Sequence, residues 1–343
     1  MGISDSEKLK SELVEELKKD PQKRFDVVLM PHFCIDNILQ YKKDLHSFFG
    51  EMENVAHSGG GNMLARQSLQ RGGKATNCAS ALSRLGIRSH LVARTNEIGY
   101  RLLESMASEA DIDLSHVSTD GELALTTSIE LEEGNIMIAD PGSLAAFGPE
   151  HLTPGSEELI GKADLVYVSD WGLNKKGTEL AKHVFGVAKQ NEKCKAFLDP
   201  GDLSPKTSEE TESLINDVLT MGLADIISVN EDEAKRLRVT RGFTPARTTR
   251  VDLHTEHHAK SRYHNGETKA VPAFDVAPKR LTGAGDTWDA GDILGELMGL
   301  SDELRLTLAN ATAAYYISHP QAKHPDQSDL MDFLARTRFQ SLS

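Results

Sequence analysis

RLTGAGDTW, residues 280–288, is the stretch on which the reading of this chain turns. Gly283, Ala284 and Gly285 stand directly before Asp286. From there Trp288, Ala290, Ile293, Leu294, Leu297 and Met298 recur three and four residues apart, which predicts a helix with one buried face. A glycine turn opening a helix leaves unpaired N–H groups at the positive end of the helix dipole, and that end attracts an anion. A carboxylate beside an anion site is costly unless it is used. The useful arrangement is a base next to a phosphate that is being transferred.

Working outward, DLVYVSD (164–170), KAFLD (195–199) and ADIISVN (224–230) are short apolar runs separated by helical segments. FDVVLM (25–30) and SHLVAR (89–94) read the same way, and 75–85 reads as a helix closed by Gly86. Such alternation predicts a mostly parallel sheet wrapped by helices, a three-layer α/β domain. Ligands of open sheets bind beyond the C-terminal strand ends, where Asp170, Asp199 and Asn230 fall. TTSIELEE and NIMIAD, joined at Gly134-Asn135, alternate in hydrophobicity and predict a β-hairpin inserted as a small β-lid. The lid segments are placed at about 37–70 and 120–145, the first with a flexible Ser58–Gly61 patch. Residues 1–22 read as an appended amphipathic helix ended by Asp20-Pro21, and 23–340 as the domain proper.

The chain has 343 residues, 39% of them hydrophobic, enough for one large domain. Its net charge of −14 argues against a nucleic-acid groove, which needs a basic surface. Cys34, Cys78 and Cys194 are scattered and odd in number, so no disulfide framework is expected and a reducing cytoplasm fits. The N-terminus lacks the apolar core of a secretory signal, and no apolar run is long enough to span a bilayer.

Two further stretches carry polar groups. Arg71-Gly72-Gly73-Lys74-Ala75-Thr76-Asn77 pairs glycines with a helix start; alone it fits a plain turn as well as a ligand loop. Asn230-Glu231-Asp232-Glu233 follows a strand, and alone it fits an ordinary capping box. Taken in order with 280–288, they resemble the ribokinase/PfkB family of sugar and nucleoside kinases. The resemblance runs from about Phe25 to the last helices. GGKATNCASALSRLG (72–86) is similar to that family's N-terminal signature and LTGAGDTWDAGDIL (281–294) to its C-terminal one; Asp36 and FLDPGDLSP (197–205) support them.

The resemblance implies phosphoryl transfer from ATP to a sugar or nucleoside hydroxyl. Asp286 would be the base, and Gly283, Ala284 and Gly285 would offer backbone N–H groups to the phosphoryl oxygens. Asp36, Gly72, Gly73, Lys74 and Asn77 would bind the acceptor. Asn230 and Glu233 would position Mg²⁺ through its water shell, with Asp199, Thr282 and Asn310 on the nucleotide side. A kinase of a sugar phosphate or cyclitol, with Lys42, Lys43, Arg66 and Arg71 near the lid, and a catalytically silent ligand-binding relative are the alternatives.

The chain also departs from the family. Arg280 stands where relatives commonly carry a cation-binding Asp, which predicts a fixed positive charge and activity independent of K⁺. TTRVDLHTEHHAKSRYHNG (248–266) replaces a glycine-containing loop that frames the nucleotide. Its His254, His257, His258 and His264 lack zinc-ligand spacing and read as a solvated loop. An exposed lid edge predicts a homodimer through the 125–140 hairpin.

Overall fold

The computed structural model describes residues 3–19, 24–41, 43–107, 111–132, 134–238, 246 and 249–341. Nine strands build one sheet: β1 (Asp26–Met30), β4 (Arg88–Arg94), β5 (Ile112–Ser118), β8 (Leu165–Ser169), β9 (Lys195–Asp199), β10 (Ile226–Val229), β11 (Arg250–His254), β12 (His258–Arg262) and β13 (Thr268–Pro272). Their spatial order is β13-β12-β11-β10-β9-β8-β1-β4-β5. All neighbours are parallel except along β11-β12-β13, an antiparallel meander at one edge. The buried strands read as continuous apolar runs because both sheet faces are covered.

Alternate residues supply the two faces. Val27, Leu29, Leu91 and Tyr167 join one core, Val28, Met30, Val92 and Val166 the other. Onto the first core pack α3 (Lys74–Arg84), α4 (Glu97–Met106), α9 (Ala284–Leu297) and α10 (Asp302–Ser318), with α1 (Ile3–Leu17) and α11 (Gln327–Arg336) outside them. Onto the second pack α5 (Pro154–Lys162), α6 (Gly177–Ala188) and the end of α7 (Ser208–Leu214), while α8 (Glu231–Arg236) follows β10. This is the three-layer architecture the sequence predicts. Leu13 and Leu17 of α1 are fully buried, and Lys10 Nζ donates to the Thr337 carbonyl at 3.0 Å, so the N-terminal helix is seated on α10 and α11.

The lid is a second sheet in the order β3-β2-β6-β7, formed by β2 (Cys34–Gln40), β3 (Arg66–Gly72), β6 (Ala124–Glu130) and β7 (Asn135–Asp140). The expected hairpin is β6–β7, with Glu130 facing Asn135 across the turn. The segment 37–70 is more ordered than its mixed pattern predicts: α2 (Leu45–His57) spans its middle, capped by the Asp44 carboxylate on the Ser47 N–H at 2.8 Å. Phe48 of α2 packs on Tyr41 and Ile129 beneath the lid. Gly59 and Gly60 follow with positive φ, so the glycine patch ends the helix. β7 leaves an open edge with Met137 and Ile138 exposed.

The chain passes from β1 to β4 and β5 on one side, and from β8 through β11 on the other. Their shared border, β1 against β8, is the switch point where open sheets form a crevice beyond the C-terminal strand ends.

Candidate active site

His32, just past β1, and Asp170, just past β8, meet at that switch point with Nδ1 and Oδ2 2.6 Å apart. Neither residue signals itself in the sequence beyond Asp170's place at a strand end. Burial disfavours the imidazolium of His32, but Asp170, Asp36 and Asp286 outweigh it and hold the ring's pKa above its ordinary value. The His32 carbonyl accepts from the Thr76 N–H and hydroxyl, fixing the start of α3. Gly73 caps that helix at φ 93°, and a Cβ there would press to 2.7 Å from the same carbonyl. A side chain on Gly72 would run into the Asp36 carboxyl. The two glycines thus admit the lid strand and the helix start to the same crevice.

Lys74 is the centre of the charge arrangement. Its Nζ lies 2.9 Å from Asp199 Oδ2 and 3.3 Å from Asp286 Oδ1. Burial alone would lower the Lys74 pKa; Asp199, Asp286, Asp170 and Glu233 raise it well above the lysine range, so the ammonium persists. Burial likewise works against the Asp199 carboxylate, yet Lys74 and the Gly201 N–H keep its pKa low. Tyr167 hydroxyl lies 3.0 Å from both Asp199 Oδ2 and Asp289 Oδ2. One hydroxyl proton cannot serve two carboxylates; Asp289, whose pKa burial and Asp199 push well up, carries the second.

Asp286 sits in the first turn of α9, buried, with Oδ2 accepting from Asn77 Nδ2 at 2.8 Å. One sequence-distant stretch, the start of α3, therefore orients both of its oxygens, Lys74 one and Asn77 the other. Asp36, on lid strand β2, faces the same space: burial raises its pKa, and the charge of Asp286 adds to the rise. Gly283 takes φ 84°, and a Cβ on it would meet the Tyr316 hydroxyl at 2.7 Å. One donor differs from expectation. The Ala284 N–H is bonded to the Leu281 carbonyl at 3.1 Å, which leaves the Gly283, Gly285 and Asp286 N–H groups as the helix-start donors.

A cavity of about 630 Å³ opens from this turn toward the meander edge. Its lining includes polar groups, among them Lys74, Glu233 and Gly285, and apolar side chains, among them Phe274, Val276 and Ile317. Asn230 caps α8, its Oδ1 accepting from the Asp232 and Glu233 N–H groups at 2.9 Å, while Glu233 Oε2 accepts from the Asn230 N–H at 2.8 Å. The capping-box reading thus holds within the site. The Asn230 oxygen is engaged by the helix, so Asn230 acts by holding Glu233. Burial and the nearby Asp199 push Glu233 up to about 8, against the opposing pull of Lys74. Its chemistry suits Mg²⁺ held through water. Asn310 lines the cavity, but its amide bridges Trp288 Nε1 (2.8 Å) and the Pro272 carbonyl (3.0 Å), a structural role. Thr282 contributes its carbonyl, which accepts from Arg280 Nε and the Tyr316 hydroxyl at 3.2 Å each.

Within the histidine stretch His257 and His264 are exposed as expected, and His254 is the correction. His254 ends β11, half-buried, with its ring 4.9 Å from Trp288 and against the anion turn. Burial pushes it down to about 4, so it is neutral at pH 7. His257 closes the β11–β12 turn and His258 opens β12, while Thr255 and Glu256 of that turn wall the cavity where relatives are expected to place a glycine loop. Arg280 reaches the lid, Nη1 donating to Gln70 at 3.0 Å, and lies over the Tyr316 ring. Of the four cations read near the lid, Lys43 pairs with Glu51, Arg66 is exposed on β3, Arg71 turns to the Met106 carbonyl, and Lys42 lies outside the described residues.

Residues 51–329 match the family model described as pfkB family carbohydrate kinase. The chain is 23% identical over 315 residues to a 5-dehydro-2-deoxygluconokinase of Bacillus subtilis (strain 168), covering 87% of this chain and 91% of the other. It is 26% identical over 291 residues to a ribokinase of Haemophilus influenzae, covering 80% and 91%. In fold it is similar to Arabidopsis thaliana ribokinase complexed with ribose and ATP, at a TM-score of 0.72 and 18% identity, covering 91% and 99%. A Methanocaldococcus jannaschii nucleoside kinase superposes at 0.67 with 16% identity, covering 92% and 99%. Among the described residues no helix is long and apolar enough to cross a membrane.

Proposed function

The chain belongs to the pfkB family of carbohydrate kinases, and from that membership and the site geometry we propose that it transfers the γ-phosphate of ATP to a hydroxyl of an unphosphorylated sugar. The observation that carries the reading is Asp286, buried at a helix start, with Asn77 and Lys74 on its two oxygens. The acceptor lies between the lid carboxyl of Asp36 and Asp286. Asp286 takes the hydroxyl proton as the acceptor oxygen bonds to the γ-phosphorus, and the bond to the bridging oxygen of ADP breaks. The Gly285 and Asp286 N–H groups and the Lys74 ammonium meet the charge on the phosphoryl oxygens. Glu233 and Asp199 would hold the water shell of a nucleotide-borne Mg²⁺, which would supply charge neutralisation at the phosphates.

The cavity offers Lys74 and the Gly285 N–H for a nucleotide's phosphates and Phe274, Val276 and Ile317 for its base. Lys43 pairs with Glu51 and Arg71 turns away from the acceptor space to the Met106 carbonyl, which favours a free sugar over a sugar phosphate. Arg280, tied to Gln70 and Thr282, supplies a resident positive charge, so the reaction proceeds without K⁺. The test is ATP consumption with a panel of free sugars, sugar acids, sugar phosphates and nucleosides, each run in K⁺ and in tetramethylammonium. Acceptor-dependent ADP formation from a free sugar, equal in both salts, is expected. ATP hydrolysis indifferent to every acceptor refutes the kinase reading.

Glu233 yields a second expectation. With a carboxyl at about 8 it is mostly protonated at pH 7. A divalent cation nearby favours the ionised form, so Mg²⁺-nucleotide binding at pH 7 releases close to one proton. Calorimetry in buffers of differing ionisation enthalpy reads that release, and Glu233→Gln abolishes it. Proton release unchanged in the variant removes Glu233 from the metal site.

A further inference from the structure

Behind the acceptor loop lies a separate cavity of about 290 Å³, lined by Arg71, Ser80, Arg84, Met106, Lys323 and His324 among others. Its walls come from the end of β3, from α3, from the end of α4 and from the loop after α10. Among the described residues Arg71, Arg84 and Lys323 line it, and two carboxylates, Asp326 and Asp329, pair with the last two. Arg84 Nη2 lies 2.8 Å from Asp326 Oδ2 and 3.7 Å from Asp329 Oδ2, and Lys323 Nζ lies 3.3 Å from Asp329. Those two acids balance those two bases. Arg71 is left over: its Nη1 bonds only a neutral carbonyl, Met106 at 3.1 Å, and no acidic side chain among the described residues pairs with it.

The imbalance is visible at two atoms and one ring. Among the described residues Arg71 Nε and Arg84 Nε are both buried without a hydrogen-bond partner, and such donors cost free energy unless something accepts from them. Burial lowers the pKa of Arg71, with only Tyr316 opposing it. His324 is pushed down to about 3, first by burial and then by Arg71, Arg280 and Arg84. The cavity is thus a small polar space at positive potential with unfilled guanidinium donors. A planar guanidinium presents paired donors that match a tetrahedral oxyanion.

We propose that this cavity is a binding site for a phosphate-type oxyanion, held between Arg71 and Arg84 with Lys323 at its rim. It is distinct from the nucleotide cavity and backs onto it. Arg71 directly precedes Gly72-Gly73, and His324 Nδ1 lies 3.3 Å from the hydroxyl of Thr287, the residue after Asp286. An anion here orders the acceptor loop and the base from behind.

Equilibrium dialysis with labelled inorganic phosphate tests the site in the wild type and in Arg71→Gln, Lys323→Gln and Lys74→Met. A phosphate site that survives Lys74→Met, and that weakens about tenfold or more in Arg71→Gln, is expected from losing one charge-assisted pair. Lys323→Gln, at a half-exposed side chain, weakens it severalfold and keeps the test valid if Arg71→Gln misfolds. In phosphate-free buffer Arg71→Gln melts no lower than wild type, because it removes an unbalanced buried charge; a purely structural arginine would lower the melt. Glycerol 3-phosphate run in place of inorganic phosphate separates an esterified phosphate, if it binds more tightly, from a free one. Phosphate binding unchanged in both Arg71→Gln and Lys323→Gln, or lost wholly in Lys74→Met, overturns the proposal.

Discussion

Asp286→Asn is expected to leave the protein folded and nucleotide-competent while phosphoryl transfer falls about a thousandfold or more, within the range a positioned base contributes. The substitution is nearly isosteric. Asn77 Nδ2 still has an oxygen to donate to, and α9 keeps its glycine bend at Gly283. What disappears is one negative charge and one proton acceptor. For stability the change is small, because the lost attraction to Lys74 is offset by relief of repulsion with Asp36. A drop of that size corresponds to about 4 kcal/mol of transition-state stabilisation. Single-turnover rates, with nucleotide affinity and thermal melting as controls, separate a missing base from a damaged site. Turnover within tenfold of wild type assigns the proton to another group, and His32, beside Asp170, is then the next residue to change.

The groups around Asp286 divide sharply by how readable they are. Gly283, Gly285 and Asp286 announce themselves because a helix start, a bend and an acid occupy adjacent positions. The parallel strands are equally plain, since burial on both faces removes polar alternation from β1, β8, β9 and β10. His32 with Asp170 is invisible, because their contact exists only once β1 and β8 lie side by side. Asp289 is hidden for a different reason. It falls on the apolar face of α9, and its place there depends on Tyr167 and Ser228 from two strands. His254 misleads: a histidine-rich turn reads as solvated until Trp288 is seen beside the ring. α2 carried a usable signal, Asp44 three residues before Ser47 and then Phe48, Met52 and Val55, but the glycines after it suggest a loop.

Arg305→Met is expected to be strongly destabilising, costing about 3–5 kcal/mol at pH 7. Arg305 is 1% exposed, and Asp252 and Asp292 are fully buried. Its guanidinium donates to Asp252 at 3.1 Å, to Asp292, to Ser261 at 2.6 Å and to Asp302 at 3.1 Å. Arg250 supplies the second cation, bonding Asp252 at 2.7 Å and Glu296 at 2.6 Å. Removing Arg305 leaves two buried carboxylates and Glu296 to one arginine, far costlier than losing a surface pair worth at most about 1 kcal/mol. The pH dependence has a definite sign. Burial, opposed by Arg305, already pushes Asp292 up to about 7. A carboxyl raised in the folded state contributes stability below its unfolded value and loses it as pH rises through the folded one. Without Arg305 that rise steepens, so the gap between wild type and variant is wider at pH 8 than at pH 5.5. Adding Asp292→Asn to Arg305→Met recovers part of the loss, because the two sites touch and their effects are not additive. Urea unfolding of the four proteins at both pH values measures all of this. A loss under 1 kcal/mol at pH 7, or a gap indifferent to pH, means that the network's charges are solvated in solution.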